Sequence, residues 1–346
     1  MISENARIRF TATLEGLEAF TVPPVVDADV HISDPSADHV LEIPKYVSHP
    51  EDYFQGKGVS AEQVVADMAV AGIDMCLVWQ NPASTAYVGD PAADFQTLRR
   101  ANEYVAQAAA TYPTKFLPAG WTDPLSLGTE KAKEMACYCI HELGMAVVKL
   151  NPAQNHFMVD SPDVVAVIDA IVQNGALPAL HFGADTPFTP AEGLLAIARH
   201  IAPHPIIAVH MGGGGAGFME AERLYHEARR IGLEQRNIVF VESAKRETHI
   251  ETDLIVYAGD SDGASSRLCF GSDSPYGLQS AQLSAMKGLF TRLEDPENHP
   301  DARVRDGSVT FGPAIRDGFL GGNIARLYAD TCRKIVAMQQ KQGAEI

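Results

Sequence analysis

The segments LPALHF (177–182) and IIAVHM (206–211) decide the fold, because each is a short apolar run that leads into a histidine. Similar runs occur at 146–150 (AVVKL), 237–243 (NIVFVES) and 268–273 (LCFGSD). Their polar ends recur about every 30 residues, which is the length of one strand followed by one helix. The sequence between them carries apolar residues at helical spacing, so we predict that strands and helices alternate.

Three further strand-like segments precede this series, VVDADVHI (25–32), MCLVW (75–79) and FLPAGW (116–121), and they bring the number to eight. The strands are rich in β-branched residues on both faces, which is typical of a parallel sheet that helices cover on both sides. Eight strand-helix units favour a closed (β/α)8 TIM barrel over an open doubly wound sheet. We therefore expect an α/β protein.

The remaining segments are interpreted as parts of that one barrel. We expect residues 1–24 to form an N-terminal arm and residues 25–341 to form the barrel domain. Residues 33–59 are interpreted as a long first loop, and residues 323–341 as a helix that closes the barrel. A chain of 346 residues is long enough for one large barrel, and it contains no linker-like stretch.

Composition restricts the class of partner. The chain contains 27 Lys and Arg against 44 Asp and Glu, and this net charge of −17 disfavours nucleic acid and anionic membranes. It shows neither an apolar stretch of membrane-spanning length nor a secretory signal, so we expect a cytoplasmic protein. The five cysteines lie mostly among apolar residues, which predicts reduced thiols in the core. A small-molecule substrate remains as the expected partner.

Polar residues stand at the carboxyl ends of the predicted strands. They are Asp29 and His31 on the first strand, Lys149 on the fourth, His181 on the fifth, His210 on the sixth and Asp273 on the eighth. In a closed barrel these ends meet at one rim, and the eighth strand lies beside the first. Asp29 and His31 share a face of their strand and can bind one ion. The rim is therefore a predicted metal site.

A glycine-rich stretch allows a different interpretation. Gly212, Gly214 and Gly217 fit the G-x-G-x-x-G pattern of dinucleotide-binding turns. Such a turn belongs after the first strand of its domain, however, whereas these glycines follow the sixth. Glu242, at the end of the seventh strand, supports the nucleotide interpretation only weakly as the acidic residue that the pattern requires. A nucleotide site is therefore the weaker hypothesis.

In their order along the chain, VVDADVHI, HMGG, FGSDSP and GGNIARLY resemble the amidohydrolase superfamily. The similar branch contains aminocarboxymuconate-semialdehyde and resorcylate-type decarboxylases together with hydrolases. The resemblance implies that Asp29 and His31 are metal ligands, although Asp29 stands where many members have histidine. It also implies His181 as a ligand, His210 as a second-metal ligand or catalytic acid/base, and Asp273 as a ligand that also accepts a proton from water.

Lys149 has two interpretations. In two-metal members of the superfamily a lysine at this place is carboxylated by CO2 and bridges both ions. Lys149 is equally compatible with an unmodified cation that pairs with a neighbour. The resemblance therefore leaves open one or two divalent ions, and zinc as well as manganese or iron suits the ligands.

Other polar residues are assigned to the pocket or to the surface. Trp121, His156, Arg246 and Tyr276 are candidate substrate-binding residues in the loops beyond the strands, with Arg246 the leading candidate for an anionic group. Asp27 is expected to orient His31 without being a metal ligand itself. The other histidines are expected on the surface; they are His39, His49, His141, His200, His204, His226, His249 and His299.

The principal functional hypothesis is a metal-dependent hydrolase in which an ion activates water against a carbonyl-type centre of a small organic substrate. Three alternatives remain. They are a non-oxidative decarboxylase of a small carboxylic acid, a dinuclear Mn/Fe or Fe/Fe hydroxylase that uses O2, and a non-catalytic barrel paired with an active paralogue. We expect a homo-oligomer or such a pair.

Overall fold

The structure is a computed structural model, and it describes residues 2–36, 59–82, 85, 87–184, 186–214 and 222–344. Most of the predicted first loop, together with His39, His49 and Gly217, lies outside these residues.

Eight parallel strands form the centre of the molecule, and each pairs with the next in chain order. The strands are β1 (Val26–Ile32), β2 (Met75–Gln80), β3 (Phe116–Trp121), β4 (Val147–Leu150), β5 (Leu177–His181), β6 (Ile206–Val209), β7 (Ile238–Glu242) and β8 (Leu268–Phe270). The side chains of all eight are buried, as expected for a sheet covered on both faces. The predicted (β/α)8 barrel is confirmed.

Helices alternate with these strands and surround them. They are α1 (Glu4–Glu18), α2 (Ala61–Ala71), α3 (Pro91–Thr111), α4 (Pro124–Leu127), α5 (Thr129–His141), α6 (Pro152–Asn155), α7 (Pro162–Gln173), α8 (Ala191–Ile201), α9 (Glu222–Glu234), α10 (Glu247–Ala258), α11 (Gln279–Leu293), α12 (Ala302–Arg305), α13 (Pro313–Asp317) and α14 (Asn323–Ala344). Short 3-10 or π turns occupy Ala264–Arg267, Pro296–Asn298 and Gly318–Gly322. Within the described residues, no helix is both long and apolar enough to span a membrane.

Local sequence signals explain where helices begin and end, as α2 shows. The Ser60 side chain accepts from the Gln63 amide while the Gln63 side chain accepts from the Ser60 amide, which is a complete capping box. Gly72 ends the helix in the left-handed conformation, with φ of 77°. Val64 and Met68 are buried beneath it, as the apolar spacing predicts.

The barrel closes between β1 and the segment that follows β8. The His31 amide donates to the Ser274 carbonyl at 2.7 Å, and Val30 forms a parallel bridge with Ser274. Asp27 of β1 strengthens the same closure, since its carboxylate accepts from the Ser272 amide and hydroxyl. This closure places Asp29 and His31 beside the residues that follow β8.

The N-terminal and C-terminal segments pack together outside the barrel. Helix α1 lies against α14, where Phe10 is buried and Arg333 pairs with Glu18. The predicted arm is therefore largely helical, and the predicted closing helix is present and slightly longer than expected. All five cysteines are free thiols, and all but Cys137 are buried, as predicted.

Candidate metal centre

The carboxyl ends of the strands open into a cavity of about 500 Å³. Five of the six predicted ligands line it; they are His31, Lys149, His181, His210 and Asp273. The sixth, Asp29, is fully buried and lies beside His31. Residues that are up to 244 positions apart in the sequence are thus gathered at one rim, as the barrel topology requires.

Asp29, His31 and Asp273 form a cluster with the spacing of metal ligands, because their donor atoms all lie within 4.8 Å of one another. His31 Nε2 is 3.6 Å from Asp29 Oδ1 and 3.6 Å from Asp273 Oδ1. Ligand atoms about 2.1 Å from a tetrahedral ion are about 3.4 Å apart. The cluster therefore fits a divalent ion with little rearrangement.

Hydrogen bonding fixes His31 in the form that a ligand requires. Its Nδ1 lies 2.9 Å from the Gln80 carbonyl oxygen, which can only accept, so Nδ1 carries the proton. Nε2 then presents a lone pair to the two carboxylates. Burial, together with the charge of Lys149, lowers the pKa of His31 to about 3. The imidazole is neutral at physiological pH.

Asp29 is held as an anion by three donors. Its Oδ1 accepts from the Trp79 indole at 3.0 Å and from Lys149 Nζ at 3.5 Å, and its Oδ2 accepts from the Ser243 hydroxyl at 2.7 Å. Burial alone would raise the pKa of Asp29, but the charge of Lys149 and the nearby His210 and His31 hold it well below its usual range. The carboxylate is therefore fixed in both charge and orientation.

His210 is linked to Asp29 through Ser243. Its Nδ1 is 2.8 Å from the Ser243 hydroxyl, which donates its own proton to Asp29, so His210 Nδ1 acts as the donor. Burial lowers the pKa of His210, and the ring is neutral with its Nε2 lone pair unprotonated. The ring of His181 meets it edge to face, 4.6 Å between centroids. The two imidazoles thus form a pair next to the three-residue cluster.

Asp273 has an unusual environment for a carboxylate. Burial, followed by the negative charge of Asp29, raises its pKa to about 7. Its backbone is left-handed, with φ of 57°, which a non-glycine residue adopts only where its surroundings enforce it. A bound cation would instead stabilise the ionised form.

The turn after β6 is also strained. His210 and Met211 have φ of 79° and 44°, and Gly212 follows with φ of 84°. The adjacent Gly213 leaves no room for a side chain, because an added Cβ would lie 2.7 Å from the Ala244 carbonyl oxygen. The glycines therefore allow the turns after β6 and β7 to pack together, and this packing orients His210.

The same turn argues against a nucleotide site. The amides of the described glycines donate to protein carbonyls and not toward an open cradle; the pairs are Gly212 to Phe182, Gly213 to His210 and Gly214 to Ala244. Glu242 is fully buried and accepts from Lys245 at 2.9 Å, so it is not placed to bind a ribose. The dinucleotide hypothesis is wrong for these residues.

Glu242 belongs to a second buried group of charges, and Lys245 of this group also lines the cavity. Lys245 Nζ donates to Glu242 and to Asp253, and Arg229 donates to the other oxygen of Asp253. Lys245 Nζ also lies 3.4 Å from the Met211 carbonyl oxygen, within the strained turn. We call these four residues, Arg229, Glu242, Lys245 and Asp253, the sealed ion cluster.

Two of the four predicted substrate residues line the cavity. Arg246 is exposed there, and Tyr276 stands with its ring 5.8 Å from that of His31 and its hydroxyl donating to Asn81 at 2.9 Å. The other two are elsewhere. Trp121 is a fully buried residue of β3 and not a loop residue, and its ring lies 6.0 Å from His31. His156 is exposed and stacks on Phe188 outside the cavity lining.

Two other predictions are wrong. Asp27 does not support His31, because the strand register shifts between Asp27 and Val30 and the carboxylate accepts from Ser272 and Gln279 instead. His204 and His299 are not surface residues: His204 is buried against the Ala176 carbonyl, and His299 is buried against Glu251.

Sequence reasoning missed the residues that hold the cluster in place, chiefly Trp79, Gln80 and Ser243. Each stands at or just after the end of a strand, so its position was visible. Its role was not visible, because it depends on which residue lies across the barrel.

The chain belongs to the amidohydrolase family, whose sequence profile matches residues 26–329. It is therefore an enzyme of a family that contains hydrolases and decarboxylases. No curated protein sequence matches the chain.

Solved structures with the same fold include three informative ones. A 2,6-dihydroxybenzoate decarboxylase in complex with 2,6-dihydroxybenzoate is 16% identical with a TM-score of 0.60, over 89% of this chain and 99% of that one. A 5-carboxyvanillate decarboxylase from Novosphingobium aromaticivorans, with manganese and 4-hydroxy-3-methoxy-5-nitrobenzoic acid, is 15% identical with a TM-score of 0.62, over 89% and 96%. A probable 2-pyrone-4,6-dicarboxylic acid hydrolase from Acinetobacter baumannii is 13% identical with a TM-score of 0.55, over 88% and 99%.

Proposed function

We propose that this protein is a metal-dependent decarboxylase of a small aromatic carboxylic acid. One observation carries the proposal: His31 Nε2 and the carboxylates of Asp29 and Asp273 lie close together at the cavity. When both carboxylates are ionised, all three groups present lone pairs and none presents a proton. A divalent cation would accept these lone pairs and neutralise both carboxylates. His181 is the fourth proposed ligand.

The ion, when bound, supplies a Lewis acid that neutralises the substrate carboxylate and a neighbouring oxygen. The residues of the chain orient the substrate and deliver a proton. Arg246, which lines the cavity, pairs with a second anionic or polar group of the substrate, and the Tyr276 ring packs against its apolar part. The carbon that loses CO2 keeps the electron pair and takes up a proton. In this proposal His210 or Asp273 first takes a proton from solvent and then delivers it to that carbon.

The decarboxylase proposal is favoured over the hydrolase hypothesis by the two decarboxylases described above, whose structures contain aromatic acids. A hydrolase is the second candidate, favoured by the likeness to a probable pyrone dicarboxylic acid hydrolase. The same residues would serve both reactions, since each needs a cation next to a proton carrier.

Product labelling tests the two candidates directly. Manganese-loaded protein is incubated in D2O with hydroxybenzoates that carry 13C in the carboxyl group. We expect release of 13CO2 and one deuterium on the carbon that lost it. A hydrolase would instead place 18O from labelled water in the product of a lactone, and a hydroxylase would place 18O from O2. Either result, without 13CO2 from any acid tested, contradicts the proposal. His156→Ala serves as the matched active control because His156 stands outside the cavity lining.

A further inference from the structure

Lys149 is enclosed in a way that bears on how many ions the centre holds. It is fully buried at the end of β4, and its Nζ lies 3.5 Å from Asp29 Oδ1. The same atom stands 4.1 Å from the centre of the Trp79 ring and 5.2 Å from that of Trp121. A carboxylate and two aromatic faces are the surroundings that an ammonium ion prefers.

Carboxylation would reverse each of these contacts. Nζ would form a bond to the carbon of CO2 and release a proton, and the positive ammonium would become a negative carbamate. That anion would face the Asp29 carboxylate and the electron-rich faces of Trp79 and Trp121. Attraction would become repulsion unless a second metal ion were bound at the same time.

The formal charges of the centre give the same result. With neutral histidines, Asp29 and Asp273 carry two negative charges and an ammonium on Lys149 carries one positive charge, so one divalent ion leaves a single positive charge. A second divalent ion beside an ammonium would leave three positive charges in a buried place, which is strongly unfavourable. The number of ions and the chemical state of Lys149 are therefore linked.

We infer that Lys149 is an unmodified ammonium ion that takes the place of a second metal, so that the centre holds one divalent ion. This inference rests on the metal centre of the proposed function. Because Lys149 lines the cavity, its charge also faces the substrate, and the centre with one ion is positive overall. It therefore favours an anionic substrate.

Metal analysis tests the inference without any substrate. The purified full chain is stripped, reloaded with Mn2+ or Zn2+ in the presence and absence of bicarbonate, desalted, and analysed for metal per chain. We expect about one ion in all four samples. Carbon-13 NMR of the Zn2+ sample prepared with 13C-bicarbonate should show no lysine carbamate.

The outcomes separate this inference from the proposed function. Two ions per chain that depend on bicarbonate, together with a carbamate resonance, would overturn the ammonium assignment and leave the decarboxylase proposal intact. Absence of any bound ion would overturn both. Lys149→Met provides a second measurement: it should still bind one ion but bind benzoate at least about tenfold more weakly, whereas loss of one of two ions would contradict the inference.

Discussion

The molecule contains two groups of buried charges close to each other, and they differ in how their negative charges are balanced. In the sealed ion cluster, Glu242 and Asp253 are matched by Lys245 and Arg229, so its formal charges cancel. In the centre around Asp29, two carboxylates lie near one lysine and the imidazoles of three histidines. The first group is paired within the protein, although Glu242 Oε1 has no hydrogen-bond partner among the described residues.

The pKa shifts of the two groups differ less than their formal charges do. Although burial opposes it, the carboxylates of Asp253 and Glu242 raise the pKa of Lys245, which keeps the cation charged. Even so, burial raises the pKa of Glu242 in this cluster to about 8, and burial together with the charge of Asp29 raises the pKa of Asp273 to about 7. In the sealed ion cluster the carboxylates are therefore accompanied by two cationic side chains, whereas the centre around Asp29 would gain charge balance from an added cation.

The largest effect is expected at Asp273. Asp273→Asn keeps the size of the side chain but removes the charge and the proton carrier, so kcat/KM should fall roughly 10²- to 10⁴-fold and ion affinity should also fall. Activity assays and metal titration measure the two losses. Asp301→Asn, the same change at a surface residue, should leave both unchanged; equal losses there would show that the effect is not specific to the centre.

The sealed ion cluster should respond in stability instead. Lys245→Met leaves the buried carboxylates of Glu242 and Asp253 without their shared cation, which should lower the free energy of unfolding by about 3–5 kcal/mol. Urea unfolding of the metal-loaded protein measures it. Lys149→Met is the matched change in the open centre and should cost clearly less, because Asp29 retains Trp79 and Ser243 as donors. Equal costs would remove the distinction.

A pH effect should follow from Asp273. Its pKa is about 7 in the metal-free protein, and the ion binds only the ionised form, so ion affinity should fall about tenfold for each pH unit below 7. In the metal-free protein this raised pKa contributes stability that is complete below the ordinary value of 3.8 and is lost as pH rises through about 7.

Thermal unfolding of the metal-free protein at pH 5 and pH 8 therefore tests the sign. Asp273 should lower the midpoint at the higher pH, and added Mn2+ should restore it. Asp27, whose pKa burial also raises to about 7, contributes in the same direction. The difference between wild type and Asp273→Asn isolates the effect of Asp273; a difference that does not change with pH would contradict the assignment.

The smallest effect concerns the substrate residues. Arg246→Ala should raise KM for an anionic substrate roughly 10- to 100-fold, since it removes a charge-assisted hydrogen bond. His156→Ala should change KM less than about twofold, because His156 stacks on Phe188 outside the cavity lining. Steady-state kinetics distinguishes them. If both variants behave alike, the cavity as described is not the substrate site.

Much of the fold was predictable because hydrophobic periodicity is a local signal. The eight strands are at the predicted places, but β6 ends at Val209 and β8 at Phe270, earlier than expected. The chain leaves the sheet just there to turn His210 and Asp273 into left-handed conformations. Asp and His adopt such conformations more often than other non-glycine residues, but still so seldom that the sequence does not predict them at a given position.

The centre itself was predictable to the extent that strand ends must meet. Asp29, His31 and Asp273 are brought together as the barrel requires. The error at Asp27 has a different origin, because a shift in register cannot be inferred from alternation along one strand. The roles of Trp79 and Ser243 also depend on contacts across the barrel.

Gly213 has a consequence for related barrels. Its backbone touches the next turn so closely that even a methyl group would collide with the Ala244 carbonyl. A homologue could contain all of the candidate ligand side chains and still be inactive if alanine or a larger residue replaced this glycine. The activity of a distant homologue thus depends also on the residue at the position of Gly213, which carries no functional group.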